Sequence, residues 1–310
     1  MKAPQIGEFK LIDTIRKNNP AKDKSVLVGI GDDAAAVKDG AGGYILMTTD
    51  TLVENIHFNL KYCTFYELGW KLLAVNLSDI AAMGGIPKYA LVTLGIKKDT
   101  GLSGINAFYT GIRSLARKTK VDVVGGDIVS SPNNLFFTIG LFGVAEKVVR
   151  RSGARPGDAI VSIGKVGGSA VGFASLKKNR RKALRIKGSI AKAHLMPFPM
   201  IKEGLNASRH ATAMIDNSDG LARCLIEICK ESKVGARIYS YNIPLAEDAS
   251  LEDGLNGGED YNLILTVPKN KVGYIRKGIV IGEVTGSKKI VLIDRSGREK
   301  VLKDKGYEHF

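Results

Sequence analysis

The segment from residue 65 to residue 83 constrains the fold most, because its pattern predicts one long and largely buried helix. Apolar residues recur in it at helical spacing, among them Leu68, Leu72, Val75 and Ile80. Gly84, Gly85 and Pro87 follow directly and end the helix. Burying such a helix needs a substantial core. The 310 residues, of which 44% are apolar, suffice for two domains that each bury one.

Strands and helices are predicted on both sides of this segment. In the first half, strands are predicted at 26–30, 44–47, 89–96, 121–124 and 135–144, with helices at 9–15 and after Ser103. In the second half, strands are predicted at 159–163, 213–216, 262–267, 290–293 and near Ile238, with helices at 167–176 and 221–231. Residues 294–297 are expected to turn the last hairpin.

Two features of the turns complete the predicted organisation. Gly125 and Gly126 are expected to break the strand at 121–124, and the polar, turn-forming stretch 150–158 is the predicted linker. We therefore expect an α+β fold of two domains. Residues 1–149 would form an N-terminal mixed sheet with helices, and residues 150–310 a C-terminal α+β domain.

Composition argues against several classes of protein. No stretch approaches the ~18 consecutive apolar residues of a membrane-spanning helix, and residues 1–4 contain no apolar signal region, so we expect a cytoplasmic protein without a membrane partner. Cys63, Cys224 and Cys229 are odd in number and form no Cys-x-x-Cys. They predict reduced, mostly buried thiols rather than disulfides or a structural zinc site.

The charge balance favours an acidic partner without identifying it. Forty-six basic and 31 acidic residues give a net charge of +15, which attracts nucleic acid, membrane headgroups or phosphorylated small molecules. The stretch 177–187 is strongly basic and is expected to be a solvated helix and loop. It carries no interleaved aromatic residues and no nucleic-acid motif is present, so the sequence disfavours nucleic-acid binding, which is kept as an alternative.

Aspartates fall at or after the ends of predicted strands. They are Asp32, Asp33, Asp50, Asp127, Asp216 and Asp219, and Asp79 joins them from the long helix, one turn after Asn76. Carboxylates that converge in a partly buried site repel one another and raise their pKa values unless cations balance them. Oxygen ligands suit hard cations, and Mg²⁺ usually takes only one or two carboxylates. The set therefore predicts more than one Mg²⁺ ion.

Common nucleotide motifs are absent or weak. No Gly-x-x-x-x-Gly-Lys-[Ser/Thr] loop occurs. Residues 29–34 match a dinucleotide pattern, but Asp32 and Asp33 would repel a pyrophosphate unless metal intervened. The four histidines are too scattered along the chain to indicate a metal cluster; they are His57, His194, His210 and His309. His57 stands out because it follows Asp50 by seven residues.

Several longer motifs carry a resemblance to a known family. They are residues 29–36, 48–58, 73–84, 124–127, 151–158, 216–220, 257–261 and 306–310. Together they resemble the thiamine-monophosphate kinase family, part of the aminoimidazole-ribonucleotide-synthetase-like superfamily of ATP-binding enzymes. The pairing of 49–53 with His57 and Phe58 is similar to this family rather than to its sister enzymes. The resemblance implies Mg²⁺-assisted transfer of a phosphoryl group from ATP to thiamine phosphate, and a homodimer formed through the N-terminal domain.

The resemblance also implies roles for individual residues. The residues expected to bind Mg²⁺ are Asp33, Thr48, Thr49, Asp50, Asp79, Asp127, Asp216 and Asp219. The residues expected to contact ATP are Tyr109, Gly126, Asp127, Arg151 and Ser218. The residues expected to hold thiamine phosphate are His57, Glu259 and Tyr307. No general base is assigned, because the oxygen of the acceptor phosphate is already anionic near neutral pH.

Three departures from the family pattern leave part of the site open. Ile128 stands where a threonine is usual, and Asn217 replaces an apolar residue. Met196 and Met200 occupy positions where the family has arginines. If either arginine contacts phosphate in the family, the basic stretch 177–187 would have to substitute. A sister enzyme that uses ATP on another small acceptor is the alternative function, and the residues that hold the acceptor would discriminate between the two.

Overall fold

The computed structural model describes residues 6–186 and 188–309, and in these the N-terminal half is built on one mixed sheet. Its strands are β1 (Val26–Val28), β2 (Ala35–Lys38), β3 (Tyr44–Val53), β4 (Ile86–Ile96), β5 (Asp122–Ser130) and β6 (Phe136–Ala145). They lie in the order β1-β2-β3-β6-β4-β5. Only the pair of β4 and β5 is parallel in this described sheet, so the predicted mixed sheet is confirmed.

The C-terminal half is built on a second sheet, and the α+β fold is therefore confirmed. Its strands are β7 (Asp158–Ile163), β8 (Ala213–Asp216), β9 (Gly235–Tyr239), β10 (Leu263–Pro268), β11 (Gly278–Thr285), β12 (Ile290–Ile293) and β13 (Glu299–Val301). They lie in the order β13-β12-β9-β11-β7-β10-β8. The predicted last hairpin joins β12 and β13, where the Gly297 N–H donates to the Asp294 carbonyl.

The helices cover these sheets. They are α1 (Glu8–Asn18), α2 (Phe65–Ala82), α3 (Leu102–Thr119), α4 (Gly168–Ile186), α5 (Gly188–Leu195), α6 (Ile201–Ala207), α7 (Leu221–Ser232) and α8 (Leu251–Asn256). Short 3-10 helices occupy Ser240–Asn242 and Lys269–Tyr274. No helix among the described residues is long and apolar enough to cross a membrane. The three cysteines are free and buried, as predicted.

Helix α2 is the long buried helix that the sequence predicts, and it lies between the two halves. A capping box formed by Thr64 and Glu67 fixes its start. It packs against β3 and β6 on one side and against α3, α6 and β8 on others, so nearly every side chain is buried. Leu176, Ala191 and Leu195 of the second half join its apolar core. The two halves therefore meet in the core around α2, and a separate apolar cluster lies within the second half.

Two strands extend further than predicted, and the sequence expectation is wrong there. Strand β3 continues through Thr48, Thr49 and Asp50 to Val53, because its ladder with β6 is unbroken over this range. Strand β5 also runs through Gly125 and Gly126. A Cβ at Gly126 would collide with the Val92 carbonyl of β4, so glycine here permits close pairing rather than ending the strand.

Other differences concern short or polar elements. Strands β2 and β11 and helices α6 and α8 were not predicted, since each is short or interrupted by glycine. The basic stretch begins on α4, where Asn179 has a non-helical backbone. The side chains of 181–187 lie outside the described residues. The proposed domain boundary at residue 150 falls between β6 and β7 and stays a prediction.

The crossing of α2 and α3 generates a prediction about stability. A Cβ at Gly69 would collide with the Phe108 carbonyl, and one at Gly111 with the Tyr66 carbonyl. Glycine to alanine in an ordinary helix stabilises it by up to ~1 kcal/mol. For Gly69→Ala we instead expect a loss of roughly 1–3 kcal/mol in the free energy of unfolding, because the backbones must separate.

Denaturant unfolding of the variant beside the parent chain checks this expectation. Gly188→Ala is the matched control, because no atom of the described residues lies within 4 Å of a Cβ at that helical position. It should keep or raise stability, by up to ~1 kcal/mol. A Gly69→Ala protein as stable as the parent chain would contradict the close approach of the two helices.

Candidate functional site

An open crevice of about 920 Å³ lies between the two halves of the chain. Strand β3 and helix α2 contribute its N-terminal side, and the loop before α7, the loop 257–261 and the tail 305–309 contribute the other. Two groups of side chains line it. One is acidic and includes Asp33, Asp50, Asp79, Asp216 and Asp219; the other contains His57, Phe173, His194, Glu259, Tyr307 and His309.

The centre of the acidic group is formed by three carboxylates from distant parts of the sequence. Asp33 follows β1, Asp79 lies on α2, and Asp216 ends β8. One carboxylate oxygen of each lies within 4.8 Å of those of the other two. The convergence that the sequence predicted for these aspartates therefore exists in the folded chain.

Hydrogen bonds from and around α2 fix this arrangement. The Thr48 hydroxyl donates to Asp79 Oδ2 at 2.5 Å, and the Ser78 hydroxyl donates to Asp216 Oδ2 at 2.6 Å. The backbone N–H of Asp50 donates to the side-chain carbonyl of Asn76 at 3.0 Å. A helix buried between both halves can thus orient ligands from each of them.

Burial and mutual repulsion disfavour the ionised form of these carboxyls. Burial, followed by the charges of neighbouring aspartates, raises the pKa values of Asp79 and Asp216 well above the ordinary range. The same two causes raise the pKa of Asp50 to about 6. Burial, followed by the charge of Glu8, raises the pKa of Asp219 to about 6. A cation in their midst would remove this penalty.

Arg151 supplies part of the compensating positive charge. Its guanidinium Nη2 lies 2.6 Å from Asp33 Oδ1, and its backbone N–H donates to the Asp32 carboxylate at 3.2 Å. Burial opposes the charge of the guanidinium, but Asp33 and Asp32 raise the pKa of Arg151. Burial and Asp33 in turn raise the pKa of Asp32 to about 7.

One oxygen of the acidic group remains without a partner. Asp33 Oδ2 is buried and has no hydrogen-bond donor among the described residues. A buried carboxylate oxygen left in this state is costly unless an ion or water satisfies it. Together with Asp79 and Asp216 it forms a set of oxygen donors that fits a hard divalent cation.

The second group is organised around His57 and the C-terminal tail. The Val53 N–H donates to His57 Nδ1 at 3.0 Å, so the neutral ring carries its proton on Nε2. Burial lowers the pKa of His57, which favours that neutral ring. The His309 ring lies 5.0 Å from the His57 ring, and the Tyr307 hydroxyl contacts His309 Nδ1 at 3.2 Å. The tail therefore forms a wall of the crevice beside His57.

Glu259 is held by two side chains in the same group. Lys71 Nζ lies 2.6 Å from Glu259 Oε1, and His194 Nδ1 lies 3.2 Å from Oε2. Burial opposes ionisation, but the Lys71 ammonium and the His194 contact outweigh it and lower the pKa of Glu259 to about 2. Glu259 is therefore a carboxylate at every physiological pH.

Most residues expected at the site line this one crevice. They are Asp33, Thr48, Thr49, Asp50, His57, Asp79, Arg151, Asp216, Ser218, Asp219, Glu259 and Tyr307. Three others do not line it. Gly126 and Asp127 lie on exposed strand β5, and Tyr109 lies half-buried on α3, packed against Phe108. The roles expected for all of them stay predictions.

Several crevice residues were not predicted as site residues from the sequence. They are Ser169, Phe173, His194 and His309. Lys71 was not predicted either; it does not line the crevice and lies buried behind Glu259. A lysine inside the largely buried α2 is a signal that could have pointed to a buried partner. His194 gave no such signal, because its neighbours in the crevice come from other segments. Met196 and Met200 do not line the crevice and pack against apolar clusters instead.

Comparisons with known proteins cover the whole chain. The family model for the AIR synthase related protein, N-terminal domain, matches residues 31–145, and that for the C-terminal domain matches residues 155–295. A thiamine-monophosphate kinase of Bacillus subtilis is 36% identical over 98% of this chain and 100% of its own length. Another, of Buchnera aphidicola subsp. Schizaphis graminum, is 35% identical over 99% of both chains.

A solved structure resembles the fold closely. The structure of AaThiL complexed with AMPPCP and TMP superposes with a TM-score of 0.91 at 32% sequence identity. The match covers 100% of this chain and 99% of that chain. The likeness therefore extends over both sheets and over the crevice between them.

The acidic group generates a prediction about stability and divalent cations. The raised pKa values mean that the ionised cluster destabilises the fold at high pH, and that protons relieve this as pH falls through about 7 and 6. With a chelator at pH 8, Asp79→Asn should raise Tm by roughly 2–4 °C. That advantage should shrink toward pH 6, because the parent cluster becomes protonated.

Adding Mg²⁺ distinguishes cation binding from relief of repulsion. It should raise Tm of the parent chain at pH 8 and change that of Asp79→Asn little, because a ligand stabilises the state that binds it. Thermal unfolding followed by circular dichroism measures both effects. Asp99→Asn, at an exposed aspartate outside the crevice, is the control. A parent chain that is more stable than Asp79→Asn in the chelator would contradict the repulsion.

Proposed function

The chain belongs to the thiamine-monophosphate kinase family of AIR synthase related proteins, and on that premise we propose that it transfers the γ-phosphoryl group of ATP to thiamine phosphate. The products are ADP and thiamine diphosphate. The proposal is supported by the ligands named for the similar structure, AMPPCP and TMP. We further propose a cytoplasmic location, where ATP is available as substrate.

One observation carries the proposal: the acidic group and the Glu259 group line the same crevice. The acidic group suits cations that accompany phosphates, as its buried and unpartnered oxygen indicates. The other group offers a carboxylate and aromatic rings, which suit an organic cation such as the thiazolium ring of thiamine phosphate. A nucleoside triphosphate and a phosphate ester with a cationic ring need both groups: the acidic group for the phosphates and the Glu259 group for the ring.

The chain needs to position and shield charge rather than to move a proton. The attacking phosphate oxygen is already anionic, so no side chain is required as a general base. The barrier lies in holding two polyanions in line while charge spreads over the transferred group. Arg151 can neutralise phosphate charge. Ser218, which lines the crevice in the loop before α7, lies beside the acidic group at the same end.

We propose Mg²⁺ as the resident cation, because the donor set consists of carboxylate and hydroxyl oxygens. More than one such ion would be held by this set, which consists of Asp33, Thr48, Thr49, Asp50, Asp79, Asp216 and Asp219. When bound, Mg²⁺ neutralises phosphate charge and stabilises the charge of the transferred group. Thr48 and Ser78 keep Asp79 and Asp216 in place for it through their hydrogen bonds.

We also propose a homodimer formed through the first sheet. Strand β5 is an edge strand, pairs only with β4 among the described residues, and is exposed along its length, with Val124 58% and Ile128 64% exposed. Long exposed apolar edges of this kind are normally covered by another chain. Gly126 and Asp127 lie outside the crevice of their own chain. A second copy bound at this edge would explain this, because the two residues would then line the crevice of the partner chain.

The kinase activity is tested by thiamine diphosphate formation from ATP, Mg²⁺ and thiamine phosphate. The parent chain should turn over, and Asp50→Asn and Asp79→Asn should each lose at least about 100-fold in kcat, because each removes a cation ligand. Asp99→Asn should remain fully active. Turnover of another small phosphate acceptor in preference to thiamine phosphate would favour a sister enzyme instead, and full activity of Asp50→Asn would refute the proposed site.

The shared site is tested by mixing two inactive variants. If Asp127 serves the partner's crevice, hybrids of Asp127→Asn with Asp50→Asn contain one intact site. Subunit exchange should then restore roughly a quarter of the parent activity, since half of the dimers are hybrids with one of two sites intact. Mixing Asp50→Asn with Asp79→Asn is the control and should restore nothing, because both residues line the same chain's crevice. No recovery in the first mixture would exclude the shared site.

A further inference from the structure

We infer that Lys71 and His194 are positioning residues that hold the Glu259 carboxylate as the fixed acceptor for the cationic heterocycle of thiamine phosphate. The inference rests on the proposed function and deepens it. Neither Lys71 nor His194 belongs to the residues that the resemblance assigns to the acceptor. The two reach Glu259 from α2 and from the end of α5.

The exposure of Lys71 and Glu259 shows which end of their ion pair faces the crevice. The Lys71 side chain is only 4% exposed, whereas that of Glu259 is 30% exposed and lines the crevice. The ammonium therefore lies behind the carboxylate, and the negative end of the pair faces the crevice. Lys71 occupies Oε1 and His194 occupies Oε2. The exposed part of the carboxylate is thus left to face a substrate cation, such as a quaternary ring nitrogen that carries no N–H.

The tautomer of His194 follows from its neighbours. Its Nδ1 lies 3.2 Å from Glu259 Oε2 and 3.0 Å from the Ser169 hydroxyl. An ionised carboxylate can only accept hydrogen bonds, so the proton of the neutral ring must be on Nδ1. Burial lowers the pKa of His194, which keeps the ring neutral. His194 therefore fixes the orientation of Glu259 without cancelling its charge.

The backbone around Glu259 is held in a conformation that side-chain-bearing residues seldom adopt. Glu259 has φ 63° and Tyr261 has φ 51°, both in the left-handed region. Two hydrogen bonds impose this: the Glu259 N–H donates to the Ser218 carbonyl at 2.6 Å, and the Tyr261 N–H donates to the Asn217 carbonyl at 3.0 Å. Such strain persists where surrounding structure enforces it, commonly at functional sites. The two hydrogen bonds also connect the backbone around Glu259 to the loop that follows Asp216.

An aromatic surface adjoins the carboxylate. The Phe173 ring lies 4.8 Å from the His194 ring and 5.5 Å from the Tyr62 ring, and Phe173 lines the crevice. A flat cationic ring gains from contact with an aromatic face as well as from a nearby anion. Phe173 and Glu259 together therefore form a subsite for a charged heterocycle, and Lys71 and His194 support it from behind.

Steady-state kinetics with Lys71→Met test the inference. Without the ammonium, the Glu259 carboxylate loses the contact that fixes it and that favours its ionised form. The KM for thiamine phosphate should therefore rise roughly 10- to 100-fold, while the KM for ATP stays within about twofold. A neutral analogue, with the thiazolium nitrogen replaced by carbon, should bind the parent chain more weakly than thiamine phosphate. Lys71→Met should lose most of that preference.

A double-variant cycle separates positioning from a general structural role. If Lys71 acts through Glu259, then Lys71→Met should add little to the effect of Glu259→Gln on the KM for thiamine phosphate. Lys97→Met is the matched control, because Lys97 and Glu54 form a partly buried pair at 3.0 Å outside the crevice. It should leave both KM values unchanged. If Lys71→Met does not fold, His194→Gln enters the same cycle with the same expectation.

Each outcome decides between distinct conclusions. An active parent chain whose KM for thiamine phosphate is unaffected by Lys71→Met or His194→Gln overturns the inference and leaves the proposed function standing. Effects that add fully in the Glu259→Gln background also overturn it. A parent chain that does not phosphorylate thiamine phosphate overturns the proposed function, and the inference falls with it.

Discussion

Repulsion among buried carboxylates is the constraint on which the rest of the structure depends. Asp33, Asp79 and Asp216 come within 4.8 Å of one another although burial already raises their pKa values. Such a cluster can persist only in a scaffold that forces it together. Helix α2 does so, because it is buried between both sheets and carries Asp79 and the hydroxyl that holds Asp216. The apolar core around α2 therefore stabilises an arrangement that electrostatics alone would disperse.

The sequence predicted the acidic half of the site well, and the physical reason is local. An aspartate at a strand end takes its position from the strand, so convergence follows once the strands belong to one fold. Asp216, the last residue of β8, behaves in this way, whereas Asp33 is placed by the short loop between β1 and β2. Asp50 is also an exception, because β3 continues past it and places it inside the sheet, where Asn76 of α2 fixes its backbone. Hydrophobic periodicity did not predict that β3 would keep pairing with β6 through Thr48 and Thr49.

The other half of the site could not be predicted from local pattern, because its partners meet only through packing. Glu259 was expected from the resemblance, but its contacts with Lys71 and His194 join segments separated by more than 60 residues each. His194 lies near the end of a short helix that packs mainly against α4 and also touches α2. The same limit applies to Asp127. The predicted strand ended at residue 124, before Asp127, and only the order of the described sheet shows that Asp127 lies on its edge strand.

The net charge and the site have opposite signs, and this contrast has a physical consequence. The chain carries +15 overall, yet its crevice concentrates aspartates. At physiological salt, fields from surface charges fade over ~8–10 Å, so the basic exterior attracts polyanions toward the surface but cannot hold them among the aspartates. Close binding must come from groups inside the crevice, namely Arg151 and cations on the carboxylates. The acidic crevice is therefore selective, because it admits a phosphate only in the company of positive charge.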